Sequence, residues 1–121
     1  RRILNFGHTI GHALEAETGY ARFLHGEAVG FGMRAAVFLA ERAGQLPAQE
    51  AAAIRHTIDL YGPIPSLEGI TAEALAARLR SDKKTVQGRV HFVLPERVGQ
   101  VRILTGIDEV LVRAAIEDAL K

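Results

Sequence analysis

The chain has 121 residues, 48% of them hydrophobic, with a formal net charge of +1, so it fits one domain with a core of its own. Its basic residues are scattered and no apolar run is long enough to span a bilayer, which removes support for a nucleic-acid or membrane role. It has no cysteine, which excludes disulfides and thiolate metal sites and fits a cytoplasmic protein.

The start of the chain is unusual. It begins with Arg1 rather than methionine, and its most distinctive motif follows almost at once. We therefore expect a piece of a longer protein whose missing part lies N-terminal to this chain.

Alanine and leucine dominate the composition and aromatic residues make up only 6%, which favours helices packed closely on helices. Apolar periodicity and stop signals predict five helices, over about residues 6–17, 27–43, 47–61, 72–81 and 108–120. Asn5 and Asp108 are the predicted N-caps of the first and last helices. The apolar positions predicted to face inward are Ile10, Ala13, Leu14, Val29, Met33, Ala36, Val37, Ala40, Ile54, Ile58, Leu60, Leu75, Leu79, Val110, Leu111, Ala114 and Ile116.

One segment has the alternation of β-structure. Residues 89–94 and 98–104 each alternate apolar and polar side chains, and Pro95-Glu96-Arg97 separates them. This pattern predicts a hairpin with its turn at those three residues. The predicted fold is mainly α, with one small β-hairpin before the last helix.

Three of the five histidines, His8, His12 and His25, lie close together in sequence and form the candidate site. His8 and His12 are four apart, so on a helix they project from one face and can share a metal or a substrate. Gly7 and Gly11 precede them, and glycine at such positions indicates the close approach of another backbone or of a ligand. A metallopeptidase helix would carry glutamate directly after the first histidine, where this chain has threonine.

The remaining charged and titratable residues keep two interpretations each. Glu15 and Glu27 are the carboxylates nearest the histidines and the local candidates for a carboxylate metal ligand, but a solvated surface charge is the commoner role for either. Lys83 and Lys84 could hold an anion or simply end a helix.

Four further residues are weighed in the same way. Arg1 and Arg2 have the same two interpretations as the lysines. His56 and His91 are expected to be structural or exposed.

These residues carry a resemblance to a known family. The chain resembles the C-terminal domain of 3-dehydroquinate synthases in its opening pattern, in the segment Leu24-His25-Gly26-Glu27-Ala28-Val29, and in Asp82-Lys83-Lys84 with the strand region that follows. The opening pattern runs Arg1-x-x-Leu4-Asn5-x-Gly7-His8-Thr9-x-Gly11-His12-Ala13-x-Glu15. The resemblance covers nearly the whole chain, and it implies a separate N-terminal domain that binds NAD and is absent from these residues.

The resemblance implies a role for each matching residue. His8 and His25 correspond to two ligands of a divalent metal, zinc or cobalt, and His12 to a catalytic histidine that moves protons and contacts substrate. A third metal ligand, a glutamate, is implied upstream of this chain. The substrate-binding residues implied by the match are Arg1, Asn5, His12 and one of Lys83 and Lys84, of which Lys84 is favoured.

The resemblance also implies a reaction. The full enzyme is an NAD- and metal-dependent carbon–oxygen lyase of the shikimate pathway, which leads to the aromatic amino acids. It converts 3-deoxy-arabino-heptulosonate 7-phosphate to 3-dehydroquinate and phosphate, and it is expected to be a homodimer. The isolated fragment is expected to be inactive, since it lacks the NAD-binding half and one metal ligand.

Two other functions compete with this one. The first is a related sugar-phosphate cyclase or a metal-dependent polyol dehydrogenase on the same fold. The second is a non-catalytic helical metal-binding or interaction module.

Overall fold

The computed structural model describes residues 7–60, 64–81, 85–86, 89–90, 92–97, 100–104 and 107–121, with side chains described outside 80–106. In these residues the chain is mainly helical, as its composition predicts. The elements are α1 (His8–Glu17), α2 (His25–Arg42), α3 (Ala48–Asp59), α4 (Ala72–Ser81), β1 (Thr85–Val86), β2 (Arg89–Val90), β3 (Phe92–Arg97), β4 (Gln100–Leu104) and α5 (Glu109–Leu120).

The long helix α2 is the centre of the fold. It packs against α1, α3 and α5, while α4 packs against α1 and α5. Its buried residues cover most of the helix circumference, and the side with Arg34 and Glu41 is partly exposed, as expected for a helix packed on several sides. The buried residues are Ala28, Phe31, Gly32, Ala35, Ala36, Val37, Leu39 and Ala40. Most are small, which allows the neighbouring helices to approach closely.

Local signals set the helix ends. Gly19 and Tyr20 adopt positive φ angles of 68° and 62° just after α1, so the predicted stop at this position is confirmed. Gly44, with φ 77°, follows the end of α2 in the same way. The Asp108 side chain accepts a hydrogen bond from the Val110 backbone N–H at 2.9 Å, which confirms the predicted cap of α5.

The cap of α1 differs from the prediction. The helix begins at His8, and its N-cap is Gly7 with φ 85° and no side-chain hydrogen bond. Asn5 therefore does not hold the cap position, and its structure lies outside the described residues. A backbone with positive φ strongly favours glycine, which explains why this residue stands there.

The predicted inward faces are right for α1 and α4 and wrong in part in the other helices, since Ile10, Ala13 and Leu14 of α1 are all buried. Leu75 and Leu79 are buried, as predicted. Leu60 and Val110 are exposed by 72% and 76%, because Leu60 follows the last residue of α3 and Val110 lies in the first turn of α5. The residues that α5 does bury are Val112, Ala115, Ile116 and Ala119.

The β-structure is present but divided differently. Strands β3 and β4 form an antiparallel pair with Phe92 opposite Leu104, which confirms a hairpin in this region. Pro95-Glu96-Arg97 belongs to β3 rather than to a turn, and the register shifts between Pro95 and Arg97. A proline cannot donate a ladder hydrogen bond, so an irregular position in a two-stranded sheet accommodates it. A second short pair, β1 with β2, precedes the hairpin.

Candidate functional site

The three clustered histidines stand at the start of two adjacent helices. His8 is the first residue of α1, His12 lies one turn further on, and His25 is the first residue of α2. The packing of α1 against α2 therefore decides how near the three rings come to one another.

Three glycines allow α1 and α2 to pack in backbone contact. A Cβ atom added to Gly11 would lie 2.9 Å from the Ala28 carbonyl oxygen, and one added to Gly7 would lie 2.7 Å from the Met33 backbone nitrogen. A Cβ on Gly32 would overlap the carbonyl oxygen of Gly7. The expected close approach at Gly7 and Gly11 is thus to another backbone, that of α2.

This packing brings the imidazole rings together. The ring centroids of His8 and His25 are 5.4 Å apart, those of His8 and His12 are 5.6 Å apart, and those of His12 and His25 are 6.0 Å apart. His8 and His12 are half-buried, and the His25 side chain is 59% exposed. The three rings form the histidine cluster, which is open to solvent on one side.

A buried carboxylate lies beneath the histidine cluster. Glu15 Oε1 is 3.1 Å from His12 Nδ1, and Glu15 Oε2 is 3.0 Å from His25 Nδ1. The Glu15 side chain is 10% exposed, so both oxygens of a shielded carboxylate are used by imidazoles. An ion that loses water contact must be paired and hydrogen-bonded to be tolerated, and these contacts provide that.

The role of Glu15 corrects the commoner interpretation of this residue as a solvated surface charge. The sequence did contain a signal, because His8, His12 and Glu15 follow the i, i+4, i+7 spacing of one helix face. Glu27 lies in the first turn of α2. Its carboxylate accepts a hydrogen bond from the Leu24 backbone N–H at 2.8 Å and so caps the start of α2.

The other predicted site residues lie outside the histidine cluster or outside the described structure. Exposed His56 lies on α3, in agreement with its expected role. The structures of Arg1, Asn5, Lys83, Lys84 and His91 are outside the described residues, so their predicted roles stay predictions.

The described residues contain neither a complete metal-binding group nor a membrane-spanning helix. Over residues 7–60, 64–79 and 107–121, no three His, Asp or Glu side chains form a complete metal-binding group. No helix in the described structure has the length and apolarity that crossing a bilayer requires.

The family follows from comparison with known sequences. Residues 1–85 match the family model of the 3-dehydroquinate synthase C-terminal domain. The chain belongs to this family. The match includes all three histidines of the cluster and Glu15.

Similar proteins carry the same family name. The chain is 62% identical over 120 residues to the 3-dehydroquinate synthase of Solibacter usitatus (strain Ellin6076), covering 99% of this chain and 34% of that protein. It is 47% identical over 118 residues to the enzyme of Koribacter versatilis (strain Ellin345), covering 98% of this chain and 32% of that protein. The chain thus spans about a third of the length of these relatives.

Solved structures share the fold at lower sequence identity. A crystal structure of 2-deoxy-scyllo-inosose synthase matches with a TM-score of 0.72 and 24% identity, covering 96% of this chain and 32% of the other. A second structure of a 2-deoxy-scyllo-inosose synthase, complexed with carbaglucose-6-phosphate, NAD+ and Co2+, matches with a TM-score of 0.75 and 23% identity, covering 96% and 33%. These likenesses establish the helical fold of the domain.

Proposed function

We propose that this chain is the metal- and substrate-binding domain of a 3-dehydroquinate synthase, a carbon–oxygen lyase that acts with NAD and a divalent metal. The observation that carries the proposal is the convergence of His8 and His25, from two different helices, to a ring separation of 5.4 Å. The 62% identity to a protein named for this activity supports the same function.

The donor set fits a divalent metal such as zinc or cobalt. With a metal–nitrogen bond of about 2.0–2.1 Å, two imidazoles on a tetrahedral ion have ring centroids roughly 5 Å apart. The His8–His25 separation of 5.4 Å is close to this value, so these two residues are the pair that would hold the ion. Imidazole nitrogen is a favoured ligand of these ions.

A catalytic zinc site takes about three protein ligands and leaves one position open for substrate. His8 and His25 supply two, and we propose that the third is a carboxylate from the part of the enzyme that precedes this chain. The likeness to a structure complexed with NAD+ and Co2+ supports the same pairing of nucleotide and metal here. When bound, the metal supplies Lewis-acid polarisation of substrate oxygens, and NAD supplies hydride transfer.

His12 is proposed as the residue that exchanges protons with the substrate. Its ring lies within 6.0 Å of both other rings, measured between centroids, while Glu15 holds it at Nδ1. A positioned imidazole can accept and return a proton near neutral pH. Arg1, Asn5 and one of Lys83 and Lys84 are proposed to bind the substrate, since cationic and amide side chains suit its carboxylate and phosphate groups.

A substrate screen on the full-length enzyme tests this function. The purified protein, loaded with Zn2+ or Co2+ and supplied with NAD, is offered 3-deoxy-arabino-heptulosonate 7-phosphate, a heptulose phosphate or glycerol. We expect phosphate release from 3-deoxy-arabino-heptulosonate 7-phosphate and no turnover of the other two compounds. Turnover of the heptulose phosphate alone would instead assign a related sugar-phosphate cyclase, and turnover of glycerol alone a polyol dehydrogenase.

A further inference from the structure

The buried carboxylate of Glu15 contacts two of the three clustered histidines at the same type of atom. Both contacts are to Nδ1, at 3.1 Å for His12 and 3.0 Å for His25. An ionised carboxylate only accepts hydrogen bonds, so each Nδ1 must carry the proton that it donates to Glu15. In a neutral imidazole with its proton on Nδ1, the lone pair is on Nε2, on the other side of the ring.

The backbone of Glu15 is itself tightly held. Its carbonyl oxygen accepts hydrogen bonds from the Tyr20 N–H at 2.8 Å and from the Thr18 hydroxyl at 3.2 Å. The residue lies on α1 next to buried Leu14, at the end of the helix that carries His8 and His12. The end of α1 therefore holds the backbone from which the carboxylate extends, and the contacts to His12 and His25 orient its oxygens.

Burial distinguishes Glu15 from the other described charged residues. It is the one charged side chain classed as buried among those that the structure describes, whereas the His12 and His25 side chains are 33% and 59% exposed. The carboxylate therefore lies on the protein side of the two rings, and solvent reaches the rings themselves. Glu15 cannot contact a reactant without displacing them, so its influence must pass through the imidazoles.

We propose that Glu15 is a positioning residue, which holds His12 and His25 in the tautomer protonated at Nδ1 and so presents both Nε2 atoms for metal binding and proton exchange. The inference rests on the proposed function for the use of those atoms, but the tautomer itself is independent of it. One carboxylate would thereby fix a metal ligand and a proton-transferring residue together. Partners of this kind orient metal-binding histidines, and their loss commonly lowers metal affinity about 10–100-fold.

Glu15→Gln is the informative variant because it keeps the size of the side chain and changes its hydrogen bonding. A carboxamide has one accepting oxygen and one donating NH2 group. It can accept from Nδ1 of one imidazole, but it presents a donor to the other. That second ring must move its proton to Nε2, which removes the lone pair with which Nε2 would bind a metal or accept a proton.

Glu17→Gln is the matched control. Glu17 is two residues further along α1, and its substitution by glutamine removes the same charge. It contacts Arg78 on α4 rather than a histidine, with 2.8 Å between Glu17 Oε1 and Arg78 Nε. Both variants are made in the full-length enzyme, and circular dichroism verifies that they are folded. The ring nitrogens are observed by 15N NMR of histidine-labelled, metal-free protein, and the affinity for Zn2+ and for Co2+ is measured by competition with a chelator.

The parent enzyme should show His12 and His25 with protonated Nδ1 and unprotonated Nε2. In Glu15→Gln one ring should change tautomer and metal affinity should fall about 10–100-fold, while Glu17→Gln should match the parent. Protonated Nε2 in neutral His12 or His25 of the parent would overturn the inference without any variant. Unchanged tautomers and affinity in Glu15→Gln would overturn it too. A parent enzyme that binds neither metal would contradict the proposed function instead, and the NMR result would still decide the role of Glu15.

Discussion

At the scale of single residues, we propose different roles for two histidines that lie one turn apart on α1. His8 and His12 share a face of α1, and from spacing alone they resemble a metal-binding pair. In the structure the His8 ring centroid lies 5.4 Å from that of His25 on α2 and 5.6 Å from that of His12, and Glu15 contacts both His12 and His25. Sequence spacing identified the shared helix face correctly, but the nearness of His25 depends on the packing of two helices, which spacing does not contain.

His12→Asn separates proton exchange from metal binding. The amide of asparagine cannot accept and return a proton, although it can still donate a hydrogen bond to Glu15. We expect kcat of the full-length enzyme to fall about 10²–10⁴-fold, the usual loss when a general acid–base group is removed. Metal content should stay at the parent level.

His56→Asn is the control, since His56 is exposed on α3 and is not part of the histidine cluster. It should leave both kcat and metal content unchanged. A His12→Asn enzyme with the parent's kcat, or one that loses its metal, would contradict the role given to His12.

At the scale of elements, most helices were predictable because their signals are local. The exact bounds of α4 and the Asp108 cap of α5 follow from periodicity and capping chemistry. The buried face of α5 could not be predicted in the same way. Alanines and valines occur on several sides of that helix, and tertiary packing selects which of them are buried. Val110 was assigned inward and is 76% exposed, while Ala115 is fully buried.

The boundaries of the β-strands also could not be predicted from the local sequence pattern alone. Alternation identified strands, but it could not say that Pro95 belongs to β3 rather than to a turn. The usual link between proline and turns favoured the wrong boundary. Register in a two-stranded sheet depends on the partner strand, which a local pattern does not contain.

The glycine contact between α1 and α2 gives a prediction at this scale. Gly32→Ala puts a methyl group where the Gly7 carbonyl oxygen lies, so the helices must move apart. Overpacking of this kind typically costs about 1–3 kcal/mol of the free energy of unfolding. We expect the variant of the full-length enzyme to unfold at lower urea concentration and to retain less metal, since His8 and His25 then separate.

Gly30→Ala is the matched control on the same helix. A Cβ at Gly30 meets nothing within 4 Å, and alanine is the better helix former by about 1 kcal/mol. This variant should be as stable as the parent or more so. Equal stability and equal metal retention in the Gly32 and Gly30 variants would show that the α1–α2 contact does not determine the separation of His8 and His25.

At the scale of the whole molecule, the described chain supplies part of a site. The domain spans about a third of the length of its relatives, and the two proposed ligands, His8 and His25, are fewer than the three that a catalytic zinc site takes. This arrangement explains why the family was recognisable from its histidine motifs while the complete site was not. The NAD site and the third ligand are proposed to come from the rest of the enzyme.

The isolated 121-residue chain should therefore fold without turning over substrate. Its helices share one hydrophobic core, so circular dichroism should show a helical domain. Assays with substrate, NAD and either metal should detect no phosphate release, whereas the full-length enzyme should release it. Phosphate release by the isolated chain would contradict the proposed division of the site.

Metal analysis of the full-length enzyme tests the central claim, that His8 and His25 bind one cation, most directly. His8→Ala, His25→Ala, His12→Ala and His56→Ala are purified under the same conditions and their zinc and cobalt contents are measured. We predict that the first two lose the metal and the last two keep it. Parent-level metal in His8→Ala or His25→Ala would contradict the claim.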